Sequence, residues 1–292
     1  MQTFQDQAAV ITGGASGIGK CLAERLAQAG ARVLIADIDA QRLQTVADEI
    51  QTRYGVSVRT QVVDVSREES VRELADQAYA KLGAVHLLFN NAGVGLGEAQ
   101  RKIWDLPVSD WRWGMDVNFM GVVHGVHAFV PRMLADANRT GQAACIINTS
   151  SNNGGLRTIP NTPIYAASKA AVTSLSEALY QQLLREGDKL RVAVLFPGPH
   201  VVNTGILASK RNRPEAYGGA DAKGVAYQNL EDLIAATGLK MQLTEPEEVA
   251  QFALQGVLEN RFWLLPESAD ADQHIENRSA SMMARGNPPS AW

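Results

Sequence analysis

The sequence predicts an α/β fold, a single doubly wound parallel sheet with helices on both faces. Three observations carry that expectation. Short apolar runs alternate with amphipathic stretches of helical period along most of the chain. The runs are apolar at consecutive rather than alternate positions, the pattern of strands buried on both faces. A glycine-rich turn, "TGGASGIG" (Thr12–Gly19), joins the first run to the first amphipathic stretch. The 292 residues show no internal repeat and no linker, so one domain over 1–292 is expected.

"AAVIT" (Ala8–Thr12) is the first strand, and "GIGKCLAERLAQAG" (Gly17–Gly30) is a helix ending on glycine. "RVLIAD" (Arg32–Asp37) is the second strand, followed by a helix over roughly Ala40–Arg53. "VRTQVVDV" (Val58–Val65) is the third. Ser66 and Glu69 then stand in capping-box positions for a helix to about Lys81. "VHLLFNNAG" (Val85–Gly93) is a fourth strand running into a loop, and Ser109 is expected to cap a long helical region reaching Leu134. "ACIINTSS" (Ala144–Ser151) is the fifth strand, the helix carrying Tyr165 runs to about Glu186, and "LRVAVLFPG" (Leu190–Gly198) is the sixth strand. Thr244 and Glu247 cap a helix within Leu243–Asn260, and "FWLLP" (Phe262–Pro266) is a short seventh strand. Two segments break the rhythm. Residues 199–242, rich in Gly, Asn, Lys and Tyr, form an insertion at the carboxyl end of a strand, where a lid is expected. Residues 267–292 read as an irregular tail.

A net charge of −4 lacks the clustered Lys and Arg of a nucleic-acid footprint. No uncharged apolar run approaches the roughly 18 residues a membrane helix needs. Cys21 and Cys145 fall in separate elements, so no disulfide is expected. That usage, with no basic-then-apolar leader, fits a soluble protein of the reducing cytoplasm. His124 and His127 share a helix face, but no Cys, Asp or Glu cluster completes a metal site, and no metal is expected.

Candidate chemistry sits in "IYAASKAAVTSLSEAL" (Ile164–Leu179), where Tyr165 and Lys169 lie one helical turn apart. An ammonium beside a phenol favours the phenolate and so suits the tyrosine to acid–base work. In the glycine-rich turn, Gly13, Gly17 and Gly19 let the backbone approach a pyrophosphate at a helix N-terminus. Asp37 closes the second strand, where a carboxylate can accept both hydroxyls of an adenosine ribose and repel a 2′-phosphate. Asp39 is the alternative if that strand ends later. No Lys or Arg stands at 14–16 or at 38, so NAD is expected rather than NADP, with Arg32 and Arg42 read as solvated surface charges.

The chain resembles the short-chain dehydrogenase/reductase family over about residues 4–266. The resemblance is carried by "TGGASGIG", "NNAG" (Asn90–Gly93), Asn118 in "DVNFMG", "NTSSNNG" (Asn148–Gly154), "YAASK" (Tyr165–Lys169) and "PG" (Pro197–Gly198). It implies a Rossmann-type domain with a seven-stranded parallel sheet and a catalytic set of Asn118, Ser151, Tyr165 and Lys169. Tyr165 would be the acid/base, Lys169 would lower its pKa and bind the nicotinamide ribose, and Asn118 would anchor a relay water. Ser16 and Ile18 would join the three glycines at the phosphates. Asp64 and Val65 would contact adenine, Asn91 and Gly93 would line the cofactor cleft, and Pro197, Gly198 and Thr204 would meet the nicotinamide end. The family's serine most often stands thirteen positions before the tyrosine, which here is Asn152. A one-residue loop insertion brings Ser151 to the role, with Ser150 as the alternative.

The resemblance implies an NAD-dependent alcohol dehydrogenase acting on a small-molecule secondary alcohol, or on its ketone in reverse. It also implies a homodimer or homotetramer built through the long helices beside the fifth strand. Ile206, Leu207, Tyr217 and Tyr227 in the lid, with Leu156 and Ile159, point to a bulky apolar or aromatic substrate. The length and the "RFWLLP" ending resemble dehydrogenases of benzylic alcohols in lignin-derived aryl ethers. Steroid-like and acyl-chain carbonyls are alternatives, as is a non-catalytic NAD-sensing protein on the same fold. An epimerase or dehydratase is disfavoured, because its glycine spacing needs a glycine at Ser16. Trp104, Trp111, Trp113 and His200 are further candidates for the pocket border.

Overall fold

The computed structural model describes residues 1–99, 101–220, 227, 229–238 and 242–290. The first half runs β1 (Ala8–Thr12), α1 (Gly17–Gln28), β2 (Arg32–Asp37), α2 (Ala40–Tyr54), β3 (Arg59–Val62), α3 (Glu68–Leu82) and β4 (Leu87–Asn90). Then come α4 (Val108–Met115), a π-helical segment (Asp116–Met120), α5 (Gly121–Thr140), β5 (Ala144–Thr149), a single turn α6 (Asn152–Gly155), α7 (Pro163–Leu183) and β6 (Leu190–Leu195). The chain ends with β7 (Val201–Val202), α8 (Leu230–Thr237), β8 (Leu243–Thr244), α9 (Pro246–Leu258), β9 (Trp263–Leu264) and α10 (Ala269–Met283).

Seven strands form one parallel sheet in the order β3-β2-β1-β4-β5-β6-β9. Strand order reverses between β1 and β4, and at such a switch point the loops part to leave a crevice at the carboxyl ends. Alternation along each strand builds two cores. Ala9 and Ile11 of β1, with Val33 and Ile35 of β2, face α1, α2 and α9 through Leu22, Leu26, Leu43, Ile50 and Val249. Ala8, Val10, Leu34 and Ala36 face the other way, onto Leu74 of α3, Phe129 and Met133 of α5, and Leu179 and Leu183 of α7. Each fully buried Leu, Ile or Phe there contributes about 1.5–3 kcal/mol.

Several element ends differ from expectation. Ser66 does not cap α3, because its hydroxyl donates to Asp64 Oδ1 at 2.6 Å, and the helix starts two residues on, at Glu68. Ser109 lies inside α4, which begins after Pro107, and Thr244 belongs to β8 rather than to a cap. The expected long helix is split by the π-helical segment at Asn118. Most of the expected irregular tail is helix α10, while 291–292 lie outside the described residues. Ser268 caps α10 by accepting from Ala271 N at 3.3 Å, and Arg278 Nη1 donates to Leu156 O at 3.2 Å. The insertion carries β7 paired with β8, a 3₁₀ stretch over Gly205–Asn212, and α8, while 221–226, 228 and 239–241 lie outside the described residues.

The insertion is fastened to α4 by a buried ion pair. Arg213 Nη2 lies 2.8 Å from Asp110 Oδ1, with both side chains almost fully buried. Arg213 also stacks over Trp113 and donates to Tyr217 O. Breaking such a pair from one side leaves a charge without compensation. Asp110→Ala is therefore expected to destabilise the fold toward the low end of about 3–5 kcal/mol, since Tyr217 O and Trp113 remain as partners. Denaturant unfolding measures that loss, and limited proteolysis should show earlier cutting within 199–220; wild-type values in both would contradict the clasp.

Candidate active site

The glycine-rich turn leaves β1 and enters α1 so tightly that a Cβ on Gly19 would stand 2.1 Å from Gly13 O. Helix α1 opens at Ser16 without a side-chain cap and with no acidic residue in its first turn. Its first amides and the helix dipole thus face the crevice ready for an anion. Thr12 Oγ1 accepts from Asn91 N at 3.0 Å and Ala92 N at 3.1 Å, which joins the turn to the loop after β4. Asp37 Oδ2 accepts from Ala15 N at 3.2 Å, holding the turn from the β2 side. Burial pushes the Asp37 carboxyl up, and backbone N–H groups of Asp39, Ala15 and Ile38 pull it the other way.

One cleft of about 720 Å³ runs across these strand ends. Gly13, Ser16, Gly17 and Ile18 line it from the turn, and Asp37, Asp64 and Val65 line the far wall. Asn91, Gly93, Ser151, Tyr165, Lys169, Pro197 and Thr204 complete the near wall. Three expected site residues support the cleft from behind. Gly19 lies under the turn, and Gly198 adopts φ +62 with no room for a Cβ beside Thr244. Asn118 is fully buried, its Oδ1 accepting from Val94 N at 2.7 Å and its Nδ2 donating to Val94 O at 3.1 Å and Ser168 Oγ at 3.3 Å. Thr204 lies against Gly17 at the start of α1, where an added Cβ would meet its Cγ2 at 3.0 Å.

Both neighbouring serines border the cleft, but the Ser150 hydroxyl is engaged by α7. It donates to Lys169 O at 2.9 Å and pairs with Thr173 Oγ1 at 2.7 Å. Ser151 faces the cleft, accepts from Asn153 N at 3.2 Å and stands close enough for its hydroxyl to favour ionisation of the Tyr165 phenol. Lys169 is 3% exposed, donates from Nζ to Thr149 O at 2.8 Å and lies 5.6 Å from the Tyr165 ring centre. Burial pushes the Lys169 ammonium down to about 8. Burial likewise pushes the Tyr165 phenol up, and the Ser151 hydroxyl opposes it. The expected lowering of Tyr165 by its neighbours is therefore a contest, with burial the larger influence.

Sequence reasoning missed Glu98 and Arg211. Glu98 is buried and reaches the start of α7 from the loop after β4, a contact no periodicity reveals. Arg211, in the insertion, lines the cleft together with Asp37, Asp39 and Arg42, so cations do stand at the Asp37 end despite their absence at 14–16 and 38. Arg42 is exposed, as expected, and lies 3.4 Å from Asp39 at the edge of the cleft. Asn152 Nδ2 donates to Gly198 O at 3.2 Å, while its buried Oδ1 has no partner among the described residues.

Of the expected apolar lining, Ile159, Ile206, Leu207 and Tyr227 border the cleft. Tyr217 instead donates to Asp116 Oδ2 at 2.9 Å, and Leu156 packs with Val194 and Phe196. Trp113 and His200 border the cleft, whereas Trp104 is 75% exposed. His124 meets Val65 O at 2.9 Å, and His127 pairs with Glu68 on the surface. Away from the cleft, Cys21, Glu24 and Glu247 bring three potential metal-ligating atoms within 4.8 Å of one another. Burial lifts the Cys21 thiol to about 12, which opposes the thiolate a metal would need.

Residues 7–215 match the family model for short chain dehydrogenase. The chain is similar to a CLA biosynthesis dehydrogenase/reductase of Lactiplantibacillus plantarum, 31% identical over 99% of this chain and 97% of the relative. It is 32% identical to a C alpha-dehydrogenase of a Sphingobium species over 91% of this chain and 82% of the relative. A crystal structure of a short chain dehydrogenase/reductase from Burkholderia phymatum, in complex with NAD, superposes with a TM-score of 0.88. That pair is 36% identical and covers 100% of this chain and 99% of the other. No helix among the described residues is long and apolar enough to cross a membrane.

Ser151→Ala removes the one group that draws the Tyr165 phenol downward, so its ionisation should move to higher pH. Ser150→Ala should leave that ionisation in place and cost about 1 kcal/mol of stability, the net worth of a buried hydrogen bond. Phenolate absorbance, taken as the difference from Tyr165→Phe, reads the first effect, and denaturant unfolding reads the second. A shift in Ser150→Ala alone would reverse the assignment of the two serines.

Proposed function

Because the chain belongs to the short-chain dehydrogenase/reductase family, we propose that it is an NAD-dependent dehydrogenase of a bulky, largely apolar secondary alcohol, reducing the ketone in reverse. The observation that carries the reading is the convergence of Ser151, Tyr165 and Lys169 on a cleft that also holds Asp37 and the glycine-rich turn. The residues fit the cofactor. The uncapped start of α1 suits a pyrophosphate, and the Asp37 carboxylate suits a ribose diol. A Cβ on Gly93 would stand 3.3 Å from Asn118 Oδ1 and 3.6 Å from Lys169 Nζ, so glycine keeps that wall open.

When bound, NAD supplies the hydride acceptor. The Ser151 hydroxyl and the Tyr165 phenolate Oη hold the alcohol oxygen between them. Tyr165 Oη takes the hydroxyl proton as the carbinol carbon gives up its hydride, and returns it in the reverse reaction. The ammonium of Lys169 stabilises the phenolate form against the burial that disfavours it. Asn118, through Val94 and Ser168, fixes the loop that floors the site. Ile159, Ile206, Leu207 and Tyr227 give the substrate end its apolar character, and two relatives matched over most of their length are dehydrogenases by name.

Tyr165→Phe should lower turnover by roughly 10²–10⁴-fold while NAD binding persists, because only the exchangeable proton is lost. The measurement is NADH absorbance over a panel of secondary alcohols and ketones, and a variant keeping most of its activity would sink the mechanism. For cofactor choice, a charged hydrogen bond is worth about 1.5–3 kcal/mol, or one to two decades of preference for NAD from Asp37. Arg42 and Arg211 offset part of the repulsion toward a 2′-phosphate, so the ratio should stay near that range. Asp37→Ser combined with Ile38→Arg should narrow or invert it. Equal or better kcat/KM with NADP in the wild type would overturn the assignment.

A further inference from the structure

Helix α7 begins at Pro163 without a cap from the residue before it. The hydroxyl of Thr162 is taken up instead by Asn153 Nδ2 at 2.7 Å. The first N–H groups of a helix have no partner within it, and in a buried place each must find one elsewhere. Here they find Glu98. One carboxylate oxygen accepts from Ile164 N at 2.6 Å and the other from Tyr165 N at 3.0 Å. Glu98 itself is 1% exposed. Burial pushes its carboxyl up, as does Asp110 nearby, and the two amides pull it down. A carboxylate suits the place, since it offers one acceptor to each amide and a negative charge to the helix N-terminus.

The amide that Glu98 holds belongs to Tyr165. Resting on the dehydrogenase reading of the cleft, we propose that Glu98 is the positioning residue for Tyr165, fixing the first turn of α7 so that the phenol meets Ser151 and stands over Lys169. The loop that carries Glu98 is itself tied to the insertion, through Gly95 N donating to Ser209 Oγ at 3.1 Å. Glu98 thereby sets the phenol relative to a wall that touches both the cofactor turn and the insertion. A displacement of the reacting group by about 1 Å can cost roughly 10²-fold in rate.

Two variants test this. Glu98→Ala strips both acceptors, and Glu98→Gln keeps the shape with a single acceptor. We expect kcat to fall by about 10²-fold in Glu98→Ala and by less in Glu98→Gln, with NAD affinity from calorimetry unchanged, because the phosphate turn is built without Glu98. The second readout needs no turnover. Phenolate absorbance, taken as the difference between each variant and its Tyr165→Phe double variant, should show Tyr165 ionising at higher pH as its approach to Ser151 loosens. An unmoved phenolate step in folded Glu98→Ala overturns the proposal, as does a loss of NAD affinity in parallel with kcat. If Glu98→Ala does not fold, Glu98→Gln decides, and wild-type kcat with an unmoved step rejects it. A moved step in a protein that oxidises no secondary alcohol upholds the positioning role and removes the dehydrogenase reading.

Discussion

A buried ammonium is the constraint around which the cleft is arranged. Lys169 lies inside the protein, and a charge there is tolerated only with a hydrogen-bond partner at good geometry. That partner is the carbonyl of Thr149, the last residue of β5. The next residue, Ser150, bonds back to Lys169 O, so strand end and helix are joined twice within two residues. This double link fixes which way the chain faces when it leaves the sheet, and Ser151 emerges on the Tyr165 side. In a strand, a slip of one residue exchanges the faces. The register of β5 against α7 is thus the same fact as the choice of serine.

A second set of buried polar side chains holds the strand ends apart at the right distance. Asn90 Nδ2 donates to Asn148 Oδ1 at 2.9 Å, and Asn148 Nδ2 donates to Ser176 Oγ at 3.0 Å. These link β4, β5 and α7 beneath the cleft floor, where apolar residues would pack with less directional preference. The cost is close tolerance. Helix α5 passes so near Asn90 that a Cβ on Gly125 would stand 2.1 Å from its Oδ1.

Much of this was legible in the chain because strands and helices announce themselves by period. The seven strands, the glycine-rich turn and the Tyr165 helix follow from residues adjacent in sequence. Caps were less legible, since a side-chain oxygen has several nearby suitors: Ser66 is claimed by Asp64, and Thr162 by Asn153. Helix α10 was hidden by its polarity, and its one buried residue is Ala271. Glu98 and Arg213 were invisible for a different reason. Each acts on a group distant along the chain, and no local pattern records a contact that only the folded sheet creates.

The π-helical segment at Asp116–Met120 inserts one extra residue's width between α4 and α5. In a regular helix each residue advances the face by about 100°. The segment therefore sets the two helices out of phase. Upstream, Trp113 keeps its face toward Arg213 of the insertion. Downstream, Gly121, His124 and Gly125 all turn toward the sheet, against Val65 and Asn90. A chain that regularised this segment would swing Met120 and His124 into the places that Gly121 and Gly125 fill, where a Cβ does not fit. The irregularity works as a gear between two surfaces, letting one continuous rod answer to Arg213 of the insertion at one end and to the strand ends at the other.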